Sequence, residues 1–139
     1  MNEKLVAPCG MNCAICKAYL RDKNRCHGCK EVDKNKPKTR FLCKIRICKE
    51  RKGKYCFECK DFPCDNLRHL DKRYRTKYHM SMIENLNFIK TYGIGSFLEN
   101  EVVKWRCSEC GGVICCHNGL CFNCSLDKLR QNKKFRWGE

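Results

Sequence analysis

The clearest periodicity lies between Cys64 and Cys107, where the chain has no cysteine. Leu67, Leu70, Tyr74 and Tyr78 recur at helical spacing, and Arg68, Lys72, Arg75 and His79 form a second stripe about 120° around the same helix. Asp65 is placed to cap this helix. Ser81-Met82-Ile83-Glu84 is a capping box that opens a second helix, with Met82, Ile83, Leu86 and Ile89 inward and a stop near Gly93. Ser96-Phe97-Leu98-Glu99 repeats the device for a short third helix covered by Phe97, Leu98, Val102 and Trp105. Upstream, Asn12 is placed to cap a short helix through Ala14, Ile15, Tyr19 and Leu20. Phe41, Leu42, Ile45 and Cys48 fall on helical spacing from Thr39 to Lys52, with Gly53 as the stop, and the lysine-rich link at 34–38 reads as a solvated loop.

Cysteine content changes what these elements can be expected to pack against. A chain of 139 residues buries only a modest apolar core, and 16 of its residues are cysteine. Its first eight residues hold no apolar run of secretory length and no later segment approaches a membrane span, which predicts the cytoplasm and no membrane partner. In a reducing compartment thiols stay free unless a metal takes them, so metal sites are expected rather than disulfides.

The spacing sorts the sulfurs into fields. Cys107-x-x-Cys110 and Cys121-x-x-Cys124, ten residues apart with Gly111 after the first pair, form a zinc-ribbon signature and predict one ion on a short hairpin. Cys115, Cys116 and His117 are left over: Cys115 and His117 are further candidate ligands, and vicinal cysteines do not readily both face one tetrahedral ion. Upstream stand Cys9, Cys13, Cys16, Cys26, Cys29, Cys43, Cys48, Cys56, Cys59 and Cys64. Four sulfurs fill a zinc shell, so about three zinc ions are expected per chain, two of them in this field. One expected grouping is Cys26, Cys29, Cys43 and Cys48; the other is Cys56, Cys59 and Cys64 with one of the opening cysteines. Gly28, inside Cys26-His27-Gly28-Cys29, is expected to have a positive φ, with His27 pointing outward. The expected fold is small, metal-stabilised and mainly α, with zinc knuckles, a C-terminal zinc-ribbon-like hairpin and little β. It divides into a cysteine-rich region (1–64), a helical region packed on it (65–106) and a knuckle with a basic tail (107–139), together one compact unit.

Charge adds a candidate partner. Lys and Arg outnumber Asp and Glu by 30 to 15, a formal net charge of +15, which suits a polyanion. Arg68, Lys72 and Arg75 are the candidate nucleic-acid contacts, with Lys133, Lys134 and Arg136 in a basic helix or tail from Leu126 to Trp137; another protein is the alternative partner, and a solvated surface the alternative use of the charge.

Cys9-x-x-x-Cys13-x-x-Cys16 is also the spacing by which radical S-adenosylmethionine enzymes hold a four-iron cluster, but those enzymes need a large barrel that this chain has no room for. As a set, Cys9-Gly10-x-x-Cys13-x-x-Cys16, Cys26-x-Gly28-Cys29, Cys43-x-Ile45-Arg46-x-Cys48, Cys56-x-x-Cys59 and Pro63-Cys64 resemble a family of small cysteine-rich bacterial and archaeal proteins, known only as a domain of unknown function and taken to bind zinc. The resemblance covers roughly residues 9 to 64 and implies cytoplasmic metal binding; with no established reaction, it carries no catalytic residue over. No His-Glu-x-x-His grouping or glycine-rich phosphate loop is present, and sulfur-only clusters have the closed character of structural zinc. The expected function is therefore a non-catalytic zinc-binding protein. The alternatives are an iron–sulfur redox or sensor protein, or a metal reservoir or delivery protein.

Overall fold

The computed structural model describes residues 1–121, 123 and 124. Two helices dominate it. The first, α3 (Asp65–Tyr78), follows two four-residue helices, α1 (Lys17–Leu20) and α2 (Lys38–Phe41); the second is α4 (Met82–Lys104). Short 3-10 turns at Glu3–Leu5, Cys13–Ile15 and Cys56–Glu58 shape the cysteine-rich half. Among the described residues no strand forms, and β structure is limited to three isolated antiparallel bridges. The fold is mainly helical, as the periodicity predicts, and among the described residues no helix is long and apolar enough to cross a membrane.

The apolar stripe of α3 is realised as expected: Leu67, Leu70 and Tyr74 are buried against Met82, Leu86 and Ile89 of α4, and Val6, Met11 and Ile15 close the same core from the N-terminal side. Burying a side chain such as Leu67 or Leu86 contributes about 1.5–3 kcal/mol, so this seam is a main source of metal-independent stability. Ser81 caps α4 by accepting the Glu84 amide at 3.0 Å, one half of the expected capping box, while the Glu84 carboxylate lies 3.4 Å from Arg75. Asp65, however, is the first residue of α3, and Cys64 holds the cap position.

Three further expectations are corrected. Gly93, at φ 88°, ψ 163°, ends the first helical segment of α4 as expected, but the helix resumes directly after it and runs to Lys104, so Ser96 lies inside the second segment instead of opening it. The second half presents Phe97, Glu101 and Trp105 to the core. The helix expected from Thr39 to Lys52 is reduced to α2, with turns after it; Phe41 and Leu42 are 46% and 56% exposed, and only Ile45 enters the core. A continuous helix would send Cys43 and Cys48 to fixed, divergent faces, whereas turns let each sulfur find its own surroundings. Asn12 caps only the turn Cys13–Ile15, by accepting the Ala14 amide at 3.1 Å, and α1 starts afresh after Cys16. Asn12 is fully buried, and its amide also donates to the Glu101 carboxylate at 3.1 Å, which ties the opening cysteine motif to α4.

Candidate metal centre

Cys107, Cys110, Cys121 and Cys124 place their four sulfurs within 4.8 Å of one another, the one such group of metal-donor side chains among the described residues. The Cys107–Cys124 and Cys110–Cys121 sulfur pairs are 3.7 and 3.4 Å apart. Zinc–sulfur bonds of about 2.3 Å in tetrahedral geometry put ligand sulfurs about 3.8 Å apart, so this donor set fits a single ion. Local backbone makes it. Cys107 donates its amide to Gly112 at 2.7 Å, Gly111 returns its amide to Cys107 at 2.9 Å, and the Gly112 amide points at the Cys110 sulfur at 3.4 Å. A side chain at Gly112 would lie 2.5 Å from Asn123 and 3.2 Å from the Cys110 sulfur. Among the described residues no ribbon strand forms; single bridges, Arg106 to Val113 and Ile114 to Cys121, hold the two halves together.

Burial opposes charge on Cys107, but the amides of Cys110 and Glu109 and the neighbouring thiols bring it down to about 7, while burial and three sulfur neighbours push Cys124 up to about 12. Four thiols this close do not all ionise without a cation among them.

Cys115, Cys116 and His117 lie outside that group. Cys115 and Cys116 are fully buried, and the Cys116 amide donates to Ile15 at 2.9 Å, fastening this segment to the Cys13–Ile15 turn. His117 accepts the Lys17 amide on Nδ1 at 3.2 Å and faces the Tyr74 hydroxyl through Nε2 at 3.1 Å, and Arg40 donates to that hydroxyl at 2.7 Å. Both ring nitrogens are therefore occupied within the protein. Burial, with Arg40 and Lys17 nearby, lowers the His117 pKa from 6.5 to about 4. Protonation then favours the unfolded chain: the contribution of the neutral imidazole is complete above pH 6.5 and is lost as pH falls towards 4. Urea unfolding of wild type and His117→Gln across that interval should show a steeper stability loss in wild type. Equal slopes would remove His117 as the cause, since acid displacement of metal is common to both chains.

The upstream cysteines gather differently. Cys9, Cys13, Cys16, Cys26, Cys29 and Cys43 line one cavity of about 30 Å³, beside Arg40, Tyr74 and Leu70. Gly28 has the expected positive φ of 111° and His27 is exposed. The loop is pinned through the Cys29 carbonyl, which accepts Lys36 Nζ at 3.2 Å and Arg46 Nε at 3.1 Å; Lys36 and Arg46 share Asp33 as a counter-ion. Cys29 is lowered to about 6, first by the Cys13 thiol donating to it and then, against burial, by Arg40, Lys36 and Arg46. Burial pushes Cys9 up to about 12. Cys56 has Cys64, Cys48 and Cys59 as sulfur neighbours and Arg51 as the nearby cation, and is raised to about 11 by its burial.

The basic stripe is divided. Arg75 is engaged: it donates to Asp71 at 2.6 Å and to Ser81 at 3.0 Å, and approaches Glu84 at 3.4 Å. Asp71 at i−4 is the sequence signal for this pairing. Arg68 donates to the Pro63 carbonyl at 3.0 Å, and Lys72 is exposed. Positive side chains instead gather round an open groove of about 480 Å³, where Arg40 and Lys44 face Arg73 and Lys77 of α3. The tail from Leu126 to Trp137, with Lys133, Lys134 and Arg136, lies outside the described residues.

Residues 5–69 match the model of a family described as "Protein of unknown function (DUF3795)". That segment holds the ten cysteines from Cys9 to Cys64 and leaves the Cys107–Cys124 group outside it. No curated protein matches the chain. No solved structure matches it either.

Proposed function

We propose that this chain, whose residues 5–69 match a family of unknown function, is a metal-binding protein in which Cys107, Cys110, Cys121 and Cys124 hold one structural zinc ion. The carrying observation is the convergence of four sulfurs, with no histidine or carboxylate, within the reach of one ion. Such a closed shell leaves no position for substrate, so the zinc serves folding, not catalysis. It fixes the segment that covers the Cys13–Ile15 turn and brings His117 to Tyr74. Elemental analysis of the purified full chain and of Cys110→Ser with Cys121→Ser tests this. About one zinc per chain should be lost in the double variant; an unchanged zinc content would overturn the assignment.

A nucleic-acid role is a second reading, favoured by the groove of Arg40, Lys44, Arg73 and Lys77. Flexible cations of this kind contact phosphates and read little sequence. Arg68 and Lys72 do not line this groove, and Arg75 is already paired with Asp71. Replacing Lys44, Arg73 and Lys77 by Gln should reduce the slope of log affinity against log salt by about one unit per lost contact, and Arg75→Gln should leave it unchanged. A parent protein that fails to bind RNA or DNA at low salt would dismiss the reading.

A further inference from the structure

The six-cysteine cavity has features that the Cys107–Cys124 centre lacks. Its sulfurs come from four separate pieces of chain: the opening loop and the Cys13–Ile15 turn, the Cys26–Cys29 loop, and the turn after α2. No three of them lie within 4.8 Å of one another, so they surround a space without converging on a point. Cys9, Cys13, Cys16 and Cys29 share this lining, and the Cys29 amide points at the Cys13 sulfur at 3.4 Å. The rest of the wall is largely apolar, including Ala7, Met11, Ala18 and Leu70.

A mononuclear zinc pulls its ligands to the spacing seen at the C-terminal group. An iron–sulfur cluster interposes its own iron and sulfide core, so its cysteine ligands stand farther apart around an enclosed, weakly solvated volume. The cationic surround also fits. A cubane with four thiolates is an anion, and the charge at its edge is net positive here: Lys36 and Arg46, which donate to the Cys29 carbonyl, share the single carboxylate of Asp33, and Arg40 stands in the cavity wall. The Lys36 side chain is fully shielded from solvent while its partner Asp33 is half exposed, so the acid offsets the lysine only in part.

We infer that Cys9, Cys13, Cys16 and Cys29 hold a four-iron, four-sulfide cluster in this cavity, with Cys43 as an adjoining sulfur. The site shares no sulfur with the zinc centre. Arg40 is a positioning residue: by placing positive charge against the cluster it stabilises the reduced, more negative state and raises the midpoint potential.

The test uses the full chain, expressed with iron and purified without oxygen. The protein should be brown, with broad visible absorption and about four iron and four acid-labile sulfide per chain. Iron-edge X-ray absorption should show iron bound to sulfur with iron neighbours. Cys13→Ala with Cys29→Ala should lower bound iron at least about tenfold and leave zinc unchanged, whereas Cys110→Ser with Cys121→Ser should remove zinc and leave iron. If the first pair does not fold, the iron-edge spectrum of the wild-type protein still decides. Arg40→Gln should keep the cluster and lower its midpoint potential. A colourless protein with zinc in place of iron, including after anaerobic incubation with ferrous ion and sulfide, would overturn the inference; iron without zinc would instead overturn the structural-zinc reading and leave this one standing.

Discussion

Stripping zinc from the Cys107, Cys110, Cys121 and Cys124 group should unfold the segment after Trp105 and expose that indole. Structural zinc supplies about 10 kcal/mol or more of folding free energy in small zinc domains, comparable to the whole stability of an ordinary domain. Apart from the sulfurs, this segment is held by two isolated bridges, a few turn hydrogen bonds, the Cys116 amide on Ile15 and His117 against Lys17 and Tyr74, contacts that follow from the fold the ion closes. Trp105 is 1% exposed, and its carbonyl accepts the Ile114 amide at 2.8 Å, so it reports directly on whether the segment stays folded. In a Trp137→Phe background, chelation should shift Trp105 emission to the red while α3 and the first half of α4 keep most of their circular dichroism. Unchanged emission and thermal stability after zinc loss verified by elemental analysis would refute the structural role.

Gly10→Ala should be the most damaging single substitution of a small residue in the cysteine-rich half. Gly10 sits at φ 88°, and a Cβ there would lie 2.7 Å from the Met82 carbonyl oxygen and 2.9 Å from Leu86 Cγ. The first neighbour is backbone at the start of α4 and does not swing away. Left-handed strain of about 1–3 kcal/mol and a comparable overpacking cost give an expected loss of about 2–6 kcal/mol. The Asn85 side chain donates to the Gly10 carbonyl at 3.0 Å, so moving the loop also breaks that bond and displaces Cys9. Denaturant unfolding of Gly10→Ala beside Gly95→Ala, where nothing lies within 4 Å of a Cβ, separates the close approach from the general effect of replacing glycine. Equal stabilities would show that the contact is relieved at no cost.

What was legible in the sequence follows from the range of each interaction. The α3 stripe and the Ser81 cap rest on neighbours three or four residues apart, and both are present. Cys107, Cys110, Cys121 and Cys124 were legible as one group because two tight turns and a short gap leave few other ways to bring them together. The arrangement of the upstream cysteines was not legible, since Cys9 comes to line one cavity with Cys29 and Cys43 only through long loop closures that no local spacing encodes. Between Thr39 and Lys52 the apparent periodicity misleads: Phe41 and Leu42 match the period yet face solvent, because the chain turns to bring Cys43 to the cavity. For Arg75, counting basic residues along the stripe missed its partner, Asp71, one turn earlier on the same helix.

The break at Gly93 divides α4 into two cooperative units. A Cβ there would touch nothing within 4 Å, so the interruption is not clamped by packing, and the hydrogen-bond ladder on one side of it does not prop up the other. The half before it is locked to α3 through Met82, Leu86 and Ile89; the half after it carries Phe97 and Glu101 and leads through Trp105 into the segment that bears the Cys107–Cys124 group. Amide exchange will therefore run on two clocks, with the later half opening together with the C-terminal segment while the earlier half continues to protect the core.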